Sequence, residues 1–256
     1  MAGRTLHVHL SPALVSPEVL AGGVVVVVDV LRATTTMVHA LAAGCDAIRP
    51  CATVDEARHL CDHLPAGKSL LCGEREGMPL PGFDLGNSPR EYTSARCKGM
   101  TLVLTTSNGT RALLHAEKAD RVLIAAFANY SAVCEQLRTE QRPIHILCAG
   151  ESQGVALEDT LLAGALVDFL VRSPNMTVDD GARIAWDCFE HHGLHLEEAM
   201  RLGSGGARLQ LLGYDEDIPV CARVDGFHLV LELRRTPWRV EIASVGITGS
   251  HWRFRS

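Results

Sequence analysis

Five short apolar runs recur along the chain, and each is too short to form a helix. They are rich in β-branched residues and end in polar or glycine-containing turns, which is typical of strands buried on both faces. We predict strands at residues 24–28, 70–72, 101–104, 122–126 and 144–148. Two later segments, 229–233 and 240–243, are joined through Pro237 and predict an antiparallel hairpin near the end of the chain.

Three polar patterns between these strands predict where helices begin. In each, a hydroxyl residue is followed three positions later by an acid, so that the two side chains can cap the first turn. The first helix is predicted to end near residue 64 and the third near residue 191. The three pairs are Thr53 with Glu56, Ser88 with Glu91 (after Pro89 at the first helical position), and Thr177 with Asp180.

The alternation of strands and helices predicts an α/β fold. We expect a layered α/β/α arrangement with a largely parallel, mixed sheet that helices cover on both faces, and a terminal antiparallel hairpin. The chain has 256 residues, of which 47% are hydrophobic. That length suits a single domain over residues 1–256, or two sub-lobes that divide near residue 130.

Composition narrows the classes of function. The net charge of −6 disfavours nucleic acid as a partner, because binding a phosphate backbone needs a basic surface. Nine cysteines without any C-x-x-C pair predict reduced, mostly buried thiols and argue against a zinc knuckle. No membrane span or signal peptide is visible in the sequence, so we expect a soluble cytoplasmic protein.

Three strands end in a similar way, passing from an apolar run through a polar turn into a helix. The three segments read VVVVVDVLRATTT, LVLTTSNGTRALL and ILCAGESQGVALEDTLLAG. In open parallel sheets, ligands bind beyond the carboxyl ends of the strands, where the starts of helices present free N–H groups. We therefore expect the functional residues in these turns.

The first two turns have the side chains that an oxyanion such as phosphate requires. Hydroxyl groups and backbone N–H groups at a helix start favour negative charge, and Arg32 and Arg111 could add charge-assisted hydrogen bonds. For one turn alone, helix capping and solvated arginines explain the residues as well. Two such turns, each with an arginine, favour an anion site.

Carboxylates at strand ends supply the complementary part of a site. They suit Mg²⁺, which usually takes one or two protein carboxylates together with water and substrate phosphate. The 73–89 segment, with its prolines and glycines, is too long for a simple connection, and such shaped loops are commonly functional. The candidates are Asp29, Glu74, Asp84, Glu158 and Asp159.

Spacing excludes three familiar phosphate chemistries. A D-x-D phosphatase needs a second acid where Leu31 stands, and no cysteine has the arginine six positions later that a cysteine phosphatase needs. The string GKS at residues 67–69 resembles the end of a P-loop, but Asp62 replaces the first glycine.

Four separated motifs together resemble the 2-phosphosulfolactate phosphatase family. They are VVVVDVLRATTTMVHALAAG, CGEREGMPLPGFDLGNSPREY, LVLTTSNGTRALL and CAG…LEDTLLAGALVD, and the likeness covers about residues 24–171. The resemblance implies an α/β protein and a Mg²⁺-dependent phosphatase that releases phosphate from 2-phospho-3-sulfolactate, a step toward coenzyme M. The chain departs from the family's pattern at the ESQG turn (151–154) and in the SGGARL stretch (204–209), and both departures could alter the end of the pocket that holds the sulfonate.

The motifs and the resemblance together predict the roles of individual residues. Arg32 and Arg111 would contact the phosphoryl oxygens, and Arg75 would face the carboxylate or sulfonate of the substrate. The expected catalytic residues are Asp29, Arg32, Glu74, Arg111 and Asp159. The expected metal ligands are Asp29, Glu74, Asp84 and Glu158, and the expected substrate-binding residues are Thr34, Thr35, Arg75, Asn87, Ser88, Thr106, Asn108, Gly109 and Thr110.

Several alternatives stay open from the sequence. Which carboxylate is the general acid or base depends on geometry that spacing does not give. A covalent phospho-enzyme is not favoured. A module that only binds a small phosphorylated or sulfonated acid is the alternative function. The base rate for soluble proteins predicts a homodimer.

Overall fold

The eleven strands found in residues 4–243 of the chain form one mixed sheet. A computed structural model describes these residues. The strands are β1 (Arg4–His9), β2 (Val24–Val28), β3 (Ala47–Pro50), β4 (Ser69–Arg75), β5 (Met78–Pro79), β6 (Thr101–Thr105), β7 (Arg121–Ala125), β8 (Ile144–Cys148), β9 (Met176–Val178), β10 (Leu231–Arg235) and β11 (Trp238–Ile242). All five predicted buried strands and the terminal hairpin are confirmed, with ends that differ by a few residues.

Helices connect most of these strands and cover the sheet. They are α1 (Ala33–Ala42), α2 (Val54–Asp62), α3 (Ser94–Cys97), α4 (Gly109–His115), α5 (Tyr130–Arg138), α6 (Leu157–Leu170), α7 (Asp180–His192), α8 (Leu196–Leu202), α9 (Ser204–Leu211) and α10 (Asp217–Ala222). In residues 4–243, no helix combines the length and apolar character that a membrane crossing needs.

The valine run of β2 shows why both faces of the sheet are covered. Side chains alternate between the two faces of a strand, so one run of apolar residues serves two cores. Val24, Val26 and Val28 pack in one apolar cluster, which includes residues of α6 and α7. Val25 and Val27 pack in the other, which includes residues of α1 and α4. The predicted α/β/α layering is confirmed.

The order of the strands contains two parallel blocks. The sheet reads β5-β4-β6-β3-β11-β10-β7-β2-β8-β1-β9. Strands β4, β6 and β3 pair in parallel, as do β7, β2, β8, β1 and β9. The hairpin β10–β11 lies between the blocks, and its pairings with β7 and β3 are antiparallel. Strands from both sides of residue 130 therefore share one sheet.

The hairpin also reverses the relative direction of the two blocks. Three successive antiparallel pairings separate β7 from β3, so the strands of one block run in the opposite direction to the strands of the other. Neighbouring strands rotate by about 20–25°, and over the five steps from β2 to β6 this twist accumulates to roughly 100–125°. We attribute to this twist the convergence of the carboxyl ends of β2 and β6 on one cleft.

Two of the three predicted helix starts differ from the structure. Thr53 caps α2 as predicted, accepting from Glu56 N at 3.1 Å. Ser88 instead precedes a short 3₁₀ turn (Pro89–Glu91), because its hydroxyl donates to Asp217 Oδ1 at 2.6 Å and caps nothing. Thr177 lies in β9, and α7 is capped by Asp179, whose Oδ1 accepts from Ala182 N at 2.8 Å.

The cysteine prediction is confirmed. All nine cysteines are free thiols, and seven of them are buried.

Candidate active site

Asp29 lies directly after β2 and is held by the start of α1. Its Oδ1 accepts from Ala33 N at 3.1 Å, and its carbonyl oxygen accepts from Thr34 N at 2.9 Å. The Thr34 hydroxyl completes the turn, since it accepts from Asp29 N and donates to Asp29 O. The Ala33 and Thr34 amides therefore hold Asp29 and are not free to bind a substrate anion. The sequence had predicted that they would be free.

Residues from the two strand blocks and from α9 line one cleft beside Asp29. It contains about 430 Å³ of space, including space open to solvent, which suits a small ligand. Predicted site residues in its wall are Asp29, Arg32, Glu74, Asn87 and Asn108. The structure thus brings together acids and an arginine that are far apart in the sequence.

Glu74, near the end of β4, connects two loops at the cleft. Its Oε1 accepts from Ser107 N at 2.7 Å, and its Oε2 accepts from Gly77 N at 2.7 Å and from the Ser107 hydroxyl at 3.2 Å. Glu74 is 5% exposed. As with Asp29, backbone amides hold the carboxylate in place.

Arg32 is buried and paired. Its Nη1 lies 2.7 Å from Asp217 Oδ2, and its Nη2 donates to Gly77 O at 2.8 Å. The guanidinium also stacks over the Tyr214 ring, 4.5 Å from the centroid. These contacts fix the orientation of the guanidinium, and much of its charge is offset by Asp217.

Three buried acids near the cleft have raised pKa values. Burial raises the pKa of Asp29 to about 7, against the hydrogen bond from Ala33, and the charges of Glu74 and Glu151 raise it further. Burial likewise raises the pKa of Glu158 to about 7, with added repulsion from Glu151 and Asp29. Burial and the Asp29 charge hold the pKa of Asp159 well above its usual range. Raised pKa values of this kind are typical of functional sites.

Asp159 holds two strand ends together behind the cleft. Its Oδ1 accepts from Val30 N at 2.8 Å and its Oδ2 from Gly150 N at 3.1 Å. It therefore joins the turn after β2 to the turn after β8. It does not line the cleft, so the structure places it as a positioning residue for these turns.

The threonines that the sequence assigned to substrate also lie behind the cleft. They are buried, their hydroxyls donate to main-chain carbonyls within the same turns or accept from main-chain amides, and they are absent from its wall. These four threonines are Thr34, Thr35, Thr106 and Thr110. The Ser88 hydroxyl, also predicted to bind substrate, donates to Asp217 instead.

Three other predicted residues also lie outside the cleft. Asp84 is exposed and accepts from Leu71 N at 2.8 Å, which ties a loop to β4. Arg75 donates to the carbonyl of Glu74 and to the Thr105 hydroxyl. Arg111 is exposed on α4. None of the three lines the cleft. The position of Asp84 therefore does not support its predicted role as a metal ligand, and the predicted contacts of Arg75 and Arg111 with substrate lack support.

Gly109 and Asn87 are close to the acids. A β-carbon on Gly109 would lie 2.8 Å from Asp29 Oδ2, so only glycine fits there. Asn87 lines the cleft, and its Oδ1 is buried without a hydrogen-bond partner. An unpaired buried acceptor is costly, and a ligand donor or water would satisfy it.

The sequence reasoning missed several residues of the cleft and its support. Arg208 and Glu151 line it, and Asp217 lies behind it as the partner of Arg32. No motif identified Asp217. The ESQG turn and the SGGARL stretch had been identified only as departures from a family pattern, and they contain Glu151 and Arg208.

A divalent cation fits this arrangement as a site with few protein ligands. Within residues 4–243, no three His, Cys, Asp or Glu side chains form a group arranged to hold a metal ion. Mg²⁺ needs only one or two carboxylates. Burial raises the pKa of Asp29, and the nearby charges of Glu74 and Glu151 raise it further. A cation beside Asp29 and Glu74 would offset this repulsion.

Comparisons with known proteins agree on one family. A family model described as 2-phosphosulpholactate phosphatase matches residues 9–236. A protein of Symbiobacterium thermophilum named "Probable 2-phosphosulfolactate phosphatase" is 41% identical over 85% of this chain and 92% of its own length. Proteins of the same name from Caldanaerobacter subterraneus (36% identical, 82% and 87% covered) and a Synechococcus strain (40%, 89% and 95%) are also similar.

Proposed function

The chain belongs to the 2-phosphosulpholactate phosphatase family, and from this premise we propose that its cleft hydrolyses 2-phospho-3-sulfolactate or a closely related phosphorylated 2-hydroxy acid. As a member of this family the chain is a phosphoric monoester hydrolase. The observation that carries the proposal is the meeting of Asp29, Glu74 and Arg32 in one cleft. The family match favours hydrolysis over a module that only binds such acids.

The charge of the cleft supports a requirement for Mg²⁺. Acids outnumber bases in its wall, and each arginine there is already paired with a carboxylate. A phosphate dianion would be repelled by this wall without added positive charge. The acids are Asp29, Glu74, Glu76 and Glu151, and the bases are Arg32 and Arg208.

We assign Asp29 and Glu74 as the protein ligands of the cation; Glu158, which the sequence also predicted as a ligand, does not line the cleft. Backbone amides hold Asp29 and Glu74, so that little reorganisation is needed when a cation binds. Carboxylate oxygens that accept one hydrogen bond retain a lone pair for a metal. When bound, Mg²⁺ would polarise the phosphoryl group and lower the pKa of a bound water.

The remaining residues would bind and orient the substrate. Arg32 presents a fixed positive charge beside the cleft, where it can stabilise charge that develops on the phosphoryl oxygens. The Asn87 and Asn108 side chains line the same wall and can position the ester. A carboxylate with a pKa near 7 is suited to proton transfer at neutral pH, and Glu158, whose carboxylate packs against Gly205 of the cleft wall, has such a pKa.

The test is metal-dependent phosphate release. Purified protein is incubated with 2-phosphosulfolactate, 2-phospholactate and glycerol 2-phosphate, with Mg²⁺ or with EDTA. We expect release from the first substrate, reduced at least tenfold by EDTA and restored by added Mg²⁺. Tight binding without phosphate release would instead favour the binding module. Cytoplasmic location, assembly as a homodimer and a place on a route to coenzyme M stay predictions.

A further inference from the structure

Glu151 and Arg208 form an ion pair in the wall of the cleft. Glu151 lies in the turn after β8, and Arg208 lies on α9. Arg208 Nη2 is 2.7 Å from Glu151 Oε1, and the two side chains are 42% and 15% exposed. This pair joins the two segments in which the sequence departs from the family's pattern.

The two arginines of the cleft differ in what they can offer a ligand. The Arg32 side chain is 2% exposed and is held by Asp217, Gly77 and Tyr214, so its position is fixed. Arg208 is partly exposed and is paired at one nitrogen with Glu151. A guanidinium has five N–H donors in a planar fork, so a second oxyanion can bind to it beside the first.

Arg208 lines the cleft beside Gly77. A β-carbon on Gly77 would lie 3.8 Å from Arg208 Cδ, which places the aliphatic part of the side chain beside the Gly77 loop. The carbonyl of the same glycine accepts from Arg32. Both arginines therefore lie at Gly77, the buried Arg32 through its guanidinium and the partly exposed Arg208 through its aliphatic part.

We propose that Arg208 binds the second acidic group of the substrate, the carboxylate or sulfonate that is not hydrolysed. This inference rests on the proposed function and names the residue that selects the substrate class. Arg208 takes the role that the sequence had assigned to Arg75, which bonds Glu74 O and Thr105 instead. Glu151 holds the guanidinium over the cleft in the free enzyme and shares it with the substrate anion.

The test compares Arg208→Gln with a matched control. Arg201→Gln is the control, because Arg201 is also partly exposed, pairs with Glu197 at 2.9 Å on α8, and does not line the cleft. The substrates are phosphate monoesters with a carboxylate only (2-phospholactate), a sulfonate only (2-phosphoethanesulfonate), both (2-phosphosulfolactate), or neither (glycerol 2-phosphate). The quantity compared is the kcat/KM of each acid divided by that of glycerol 2-phosphate.

We expect Arg208→Gln to lower this ratio about 10- to 100-fold for 2-phosphosulfolactate, the size of one lost charge-assisted contact. If the ratio falls for the carboxylate-only substrate, Arg208 binds the carboxylate; if it falls for the sulfonate-only substrate, Arg208 binds the sulfonate. Arg208→Lys should recover part of the ratio, and Arg201→Gln should keep it. An equal loss on all four substrates would mean that Arg208 binds the phosphate or supports the fold, and would overturn the proposal.

Direct binding separates this inference from the proposed function. The ligand is sulfolactate, which has no phosphate, and its affinity is measured by calorimetry for the wild type and both glutamine variants. We expect at least tenfold weaker binding for Arg208→Gln alone, even if the wild type releases no phosphate. Equal affinities in the three proteins would overturn the role of Arg208 while leaving hydrolysis intact. Absence of any binding or turnover by the wild type would overturn both proposals.

Discussion

Gly109 packs against Asp29 so closely that a β-carbon at position 109 would lie 2.8 Å from Asp29 Oδ2 and 2.5 Å from the β-carbon of Ala33. The start of α4 therefore touches the turn after β2. This contact joins the two strand blocks at the candidate site and sets the position of the Asp29 carboxylate.

Gly109→Ala should displace this carboxylate. We expect kcat to fall at least tenfold, because small misplacements at a reacting centre are costly, and stability to fall by about 1–3 kcal/mol from overpacking. Gly226→Ala is the control, since nothing lies within 4 Å of a β-carbon there. Phosphate release and urea denaturation measure the two effects. Unchanged activity in Gly109→Ala would show that the position of Asp29 does not matter for the reaction.

Buried acids predict that part of the stability of the metal-free protein is lost as pH rises. The pKa of Asp29 is raised from 3.8 to about 7, so the folded state binds a proton more tightly than the unfolded state. This stabilisation is complete below about pH 4 and is lost as pH rises through 7. Asp29→Asn lacks this contribution, and its carboxamide oxygen can still accept from Ala33.

The measurement is urea denaturation in EDTA from pH 5 to 8.5, for the wild type and Asp29→Asn. We expect the stability of the variant relative to the wild type to increase with pH, while its phosphatase activity is abolished. Other groups, such as His145, whose pKa burial lowers to about 4, titrate in both proteins, so the difference is informative. A difference that does not change with pH would contradict the raised pKa of Asp29.

Mg²⁺ should stabilise the protein through Asp29. At pH 8 a cation bound only to the folded state adds about 2.7 kcal/mol at a hundredfold excess over its Kd. We expect the unfolding temperature of the wild type to rise with added MgCl₂, and that of Asp29→Asn to rise much less. NaCl at equal ionic strength is the control for screening. An equal rise in both proteins would place the bound cation elsewhere.

Asp217→Asn should destabilise the fold by leaving a buried cation without its partner. Asp217 is 1% exposed and binds both Arg32 and the Ser88 hydroxyl. Removing one partner of a buried pair typically costs about 3–5 kcal/mol. The matched control is Glu197→Gln, whose pair with Arg201 is exposed and should be worth less than about 1 kcal/mol. Similar urea midpoints for the two variants would mean that Arg32 finds another partner.

The sequence by itself determined the layered fold and the kind of chemistry. A strand of five valines alternates its side chains between two faces, so it requires covering helices on both sides. Acids and arginines at strand ends are visible as interruptions of apolar runs, and the motifs around them identified the family. These signals are local, and local periodicity and turn chemistry are what a sequence shows directly.

Only the tertiary structure decided which polar groups meet. Arg32 pairs with Asp217 at a separation of 185 residues, and Ser88 binds the same acid at a separation of 129 residues. The turn amides that the sequence predicted would bind phosphate hold Asp29 and Glu74 instead. Arg208, and not the predicted Arg75, lies in the wall of the cleft. Side-chain partners and burial depend on how distant segments pack, and burial sets the pKa values, so neither could be predicted from spacing alone.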